Sequence, residues 1–111
     1  MSTINFDQLF ASLQTGVISI AKESLQDYYN VAKADGESAL ADMKANLQRW
    51  AEELASGALT TADLEFLLKE EAALNEMTAL KQAGLAKVQL DEFKGSIINL
   101  IIATLSGLLK V

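Results

Sequence analysis

The chain has 111 residues, half of them hydrophobic, no proline, and a formal charge of −6, which bounds it to a single domain of helix-favouring composition. It has no histidine and no cysteine, which excludes imidazole general bases, Ser-His and Cys-His dyads, disulfides, and imidazole or thiolate metal ligands. Its nine basic residues are interspersed among fifteen acidic ones without forming a stripe, so nucleic acid is not an expected partner.

In chain order, Phe6, Phe10, Leu13, Val17 and Ile20 alternate steps of four and three, the helical period, with Leu9 and Ile18 widening the stripe. Leu25, Tyr28, Val31 and Ala32 continue it while its face drifts. Ala34-Asp35-Gly36-Glu37-Ser38 then reads either as a kink or as a break. Beyond it Leu40, Met43, Leu47, Trp50 and Leu54 form a coiled-coil-like seam that completes an N-terminal half of about residues 5–55.

A turn is expected over residues 56–61. Gly57 suits the left-handed position past a helix end, and Thr60 or Thr61, with Asp63 following, caps a new helix. That helix, about 62–83, carries Leu64, Leu67, Leu68, Leu74, Met77 and Leu80. It ends at Gly84, where Leu80 and Leu85 occupy the two positions that touch in a Schellman cap. A further helix, about 90–109, begins on a new phase with Leu90, Phe93, Ile97 and Leu100.

These elements predict an all-α fold: an antiparallel helical hairpin with a break in its second half, three to four helices in all, completing a helical bundle by self-association. Facing residues should have numbers summing to about 117, pairing Leu40 with Met77, Val17 with Leu100 and Ile20 with Ile97. A fully straight hairpin of this length would extend roughly 75 Å. Bending at Gly36 and Gly84 would instead give a compact four-helix bundle.

No catalytic, cofactor or metal site is expected, and the chain reads as a non-enzyme. The adjacent carboxylates Glu52-Glu53, Glu70-Glu71 and Asp91-Glu92 point about 100° apart on a helix and do not converge on one substrate. The six glycines are isolated and make no phosphate-cradling motif. Trp50 reads as core packing, and Tyr28-Tyr29 as a weak interface candidate.

One feature rises above this background. Gln8 to Ala21 and Gly95 to Leu109 carry no charged side chain, and the hairpin brings the two segments together. The expected self-association or lipid interface comprises Leu9, Phe10, Leu13, Val17 and Ile18 on the first segment. On the second it comprises Ile97, Ile98, Ile101, Ile102, Leu105, Leu108 and Leu109. The leading functional expectation is a structural or protein-interaction module that forms a homo-oligomer through these segments, with an unidentified protein as a possible further partner. The alternative is a membrane-active hairpin that conceals its apolar tip in the soluble form. The expected location is cytoplasmic, or else outside the cell by export without a cleavable signal peptide, since the N-terminus lacks a basic start and no run approaches a bilayer span.

Overall fold

The computed structural model describes residues 5–107, and within them the chain is all-α. Asn5 starts the first helix, α1 (Phe6–Ser24), by accepting the Gln8 N–H at 3.1 Å. After Leu25 and a single 3-10 turn, Gln26–Tyr28, the chain reverses into α2 (Tyr29–Ser56). The third arm consists of three short helices, α3 (Thr61–Lys69), α4 (Ala72–Glu76) and α5 (Thr78–Gln82). The fourth arm is α6 (Lys87–Ser106).

The four arms run up, down, up and down. Phe10 in α1 meets Lys44 of α2, whose Nζ lies 5.1 Å from the ring centroid, while Val17 meets Gly36, so the partner number falls as the chain advances. Asp35 of α2 accepts the Leu80 N–H of α5 at 2.8 Å, and Lys94 of α6 donates to the Asn75 side chain of α4. Neighbouring arms pack around the bundle in the order α1, α2, α4–α5, then α3 against α6, with α6 closing onto α1. The Cα extents are 47 × 23 × 20 Å, well short of a straight hairpin.

The expected turns at Gly57 and Gly84 are present. Gly57 has φ 84° and Gly84 has φ 90°, conformations that L side chains rarely adopt. Each closes a Schellman cap. Ala58 N–H donates to Glu53 C=O and Gly57 N–H to Leu54 C=O; Leu85 N–H donates to Leu80 C=O and Gly84 N–H to Lys81 C=O. Thr60 and Asp63 form a reciprocal capping box at the start of α3.

The first half departs from the expected single element. Residues 35–38 do not break it; they lie inside α2, and the chain turns at Leu25 instead. Two physical reasons account for this. Ser24, Asp27, Tyr28, Tyr29, Asn30 and Val31 are all weak helix formers, so this is a low-cost place to reverse. Reversal also buries Leu25 and lays the α1 stripe over α2, which an uninterrupted helix would leave uncovered. Gly36 is buried because α1 crosses there: a Cβ would fall inside the van der Waals envelope of Val17 Cγ1 and touch Phe93 Cζ at 3.6 Å. On one straight helix Val17 and Gly36 would lie roughly 28 Å apart.

The helix expected over 62–83 is divided at residues 70–71 and at Met77, and side chains satisfy the polar groups this exposes. Asn75 Nδ2 donates to the Lys69 C=O at the end of α3, at 3.4 Å, and Lys81 Nζ donates to the Asn75 C=O in α4, at 2.9 Å. Asp35 reaches across from α2 to the unpaired first turn of α5. Asp35→Ala is therefore expected to cost about 1–2 kcal/mol, with Asp35→Asn avoiding most of that loss because its side-chain oxygen still accepts. Urea unfolding of the two variants measures the difference.

The core is continuous and wholly apolar among the described residues: no polar or charged side chain is buried. Trp50, 4% exposed, belongs to it, whereas Tyr28 and Tyr29 are half-buried at its edge.

Candidate interaction surface

The two chargeless segments are neighbours, since α1 and α6 pack side by side. The expected register holds closely. Leu100 lies against Gly16, where a Cβ would come within 2.7 Å of the leucine methyls, and these numbers sum to 116. The Asp35–Leu80 hydrogen bond sums to 115. The pairing does not occur at a distant tip. Because α1 folds back at Leu25, the chargeless pair lies along the flank of α2, with Val17, Gly36 and Phe93 meeting at one point.

This changes the availability of the interface residues expected from sequence. Phe10, Leu13, Val17, Ile97, Ile98, Ile101 and Leu105 are buried in the core of the chain itself. Their apolar demand is met by α1, α2 and α6 within one molecule, which leaves them no surface for a second one. Leu9, Ile18 and Ile102 are half-buried at the outer edge. Leu108 and Leu109 lie outside the described residues.

The outward face of the α1/α6 pair has a different composition from those buried residues. Ser12, Thr15 and Ser19 of α1 and Asn99 and Ala103 of α6 are exposed, flanked by the half-buried Ile18, Ile20, Leu100 and Ile102. The face is small, uncharged and partly apolar. The nine basic and fifteen acidic side chains all lie outside its two segments. Phe66 and Val88, both prominently exposed, are on α3 and at the start of α6.

The fold also gathers side chains that are far apart in sequence. Lys81, Lys87 and Lys94 line one groove with Asn75 between α4–α5 and α6. In the sequence these lysines are widely spaced, with acidic residues among them. Their convergence depends on the Gly84 turn, and a spacing of six or seven residues across that turn was the available signal. Among the described residues, no group of three acidic side chains is placed to hold a metal ion, and no helix is long and apolar enough to cross a membrane.

The fold defines an up-down-up-down four-helix bundle with a segmented third arm. Comparison of the chain with protein-family models, curated proteins and solved structures gives no match.

Proposed function

We propose that the protein is a non-enzymatic interaction module that pairs with a second copy of itself through the outward face of α1 and α6. The observation that carries this reading is the absence of charged side chains from residues 8–21 of α1 and 95–106 of α6, which form this face. A chain of net charge −6 repels its copies wherever acidic surfaces meet, whereas two α1/α6 faces approach without bringing like charges together. Charged residues are depleted at the centres of protein interfaces, and small side chains such as Ser12, Ser19 and Ala103 sterically permit close approach of helix backbones. An isologous two-fold pair is the simplest closed arrangement of such a face.

Sedimentation velocity over a range reaching about 100 µM, a weak-dimer regime, is expected to show concentration-dependent pairing. Placing charge on the face with Ser19→Glu and Ala103→Glu should weaken pairing at least tenfold, about 1.4 kcal/mol. Gln48→Glu, an exposed change on α2, should leave it unaltered. A strict monomer throughout, or equal pairing by the double variant, would refute the proposal. Flotation with liposomes in place of pairing would assign the face to lipid instead.

A further inference from the structure

We propose that the groove between α4–α5 and α6 binds a small amphiphilic anion, a carboxylate head on an apolar body. The groove, half open to solvent, has a volume of about 370 Å³, within the range of small-molecule sites. Its floor is apolar: Leu74 and Leu85 are buried and Leu90 is half-buried. Its rim is cationic in an otherwise acidic molecule. Three of the nine basic residues line it with a single acid, Asp91, a local balance of +2 in a chain of −6.

The arrangement at Asn75 makes this more than a chance grouping of surface lysines. Lys81 Nζ donates to the Asn75 main-chain oxygen at 2.9 Å, and Lys94 Nζ donates to its side-chain oxygen. Two ammonium groups from different helices thus converge on one neutral residue, and among the described residues neither lies within ion-pair distance of a carboxylate. Lys87 differs, with its Nζ 3.9 Å from Asp91. Two ammonium groups that share one neutral partner attract an anion placed between them. Each ammonium has three donors, of which Asn75 takes one.

The chemistry of the lining selects the head and the body. Lysines supply point charge on flexible stems rather than the planar fork that arginine offers a phosphate. The groove contains no arginine, aromatic side chain or glycine-rich backbone, so it has none of the devices used for nucleotides. A cation is disfavoured by the surplus of ammonium groups. The three leucines supply apolar surface that a bare inorganic anion would leave unused.

The test uses the full isotope-labelled chain and three probes followed by NMR: octanoate, with head and body; inorganic phosphate, a head alone; and octanol, a body alone. Octanoate is expected to shift the Leu74, Asn75, Leu85 and Leu90 amides saturably. Phosphate and octanol are expected to bind at least tenfold more weakly. Lys81→Met with Lys94→Met, which keeps apolar bulk and removes both charges, is expected to raise the octanoate Kd at least tenfold while leaving the spectrum of the remaining core in place. The proposal is overturned if octanoate gives no saturable shift at this groove, if octanol binds as tightly, or if the double variant binds octanoate unchanged.

Discussion

Ile98→Glu is expected to unfold the protein, whereas Ile102→Glu, one helical turn further along α6, leaves it folded. Ile98 is 5% exposed and belongs to the core, while Ile102 is half-buried at its edge. A carboxylate at position 98 would lose the apolar burial of the isoleucine and place an ion where the neighbouring α1 segment, from Gln8 to Ala21, has no basic side chain. The penalty for burying an unpaired charge is expected to exceed about 4 kcal/mol, a large part of a typical domain stability of about 5–15 kcal/mol. At position 102 the new carboxylate stays hydrated, and the cost is about 1 kcal/mol or less. Far-UV circular dichroism with urea titration separates the two, and Ile102→Glu should also weaken self-pairing. Equal tolerance of both changes would mean that Ile98 does not face the core.

The second large effect is expected at Gly36. Gly36→Leu should destabilise the bundle by about 3 kcal/mol or more, because overpacking at a tightly filled crossing moves backbone as well as side chains. A Cβ alone would overlap Val17, and the added carbons would press on Phe93, both fully buried. The resulting fall in Tm is about 10 °C or more for a domain of this size. Gly36→Ala combined with Val17→Ala should recover much of the loss from Gly36→Ala alone, with a coupling of about 1 kcal/mol or more, as expected for residues in direct contact. Gly95→Ala is the contrasting change. A Cβ there meets nothing within 4 Å, so the gain in helix propensity should stabilise by about 0.5–1 kcal/mol.

Gly36 and Gly57 show what the sequence makes legible. The Gly57 and Gly84 turns depend on hydrogen bonds within six residues, so their signals are local and both were readable. The register of α1 against the last helix was readable too, as Gly16 beside Leu100 shows, because apolar period and turn position together set it. Leu25 was not. Val17, Ala21, Leu25 and Ala32 continue a helical stripe, and no glycine or proline interrupts residues 22–30; only the run of weak helix formers marks the reversal. Gly36 misled for the opposite reason. Its missing side chain makes room for a helix distant in sequence, and such a close approach leaves no trace in the local pattern. The breaks at residues 70–71 and 77 rely on Asn75, Lys81 and Asp35 supplying hydrogen bonds across helices. The two chargeless segments lie side by side, and seven of their apolar residues, Phe10, Leu13, Val17, Ile97, Ile98, Ile101 and Leu105, are buried within the chain.

The alternation of the four arms also fixes which corners share a pole. The start of α1 at Phe6, the Gly57 turn and the end of α6 at Ser106 lie at one pole, and the Leu25 and Gly84 corners lie at the other. The connectivity is thus one link short of a ring: a short tether between the outer ends of α1 and α6 would close it. The same four arms can then be strung in a different order, opened at Gly84, without moving any helix from its place.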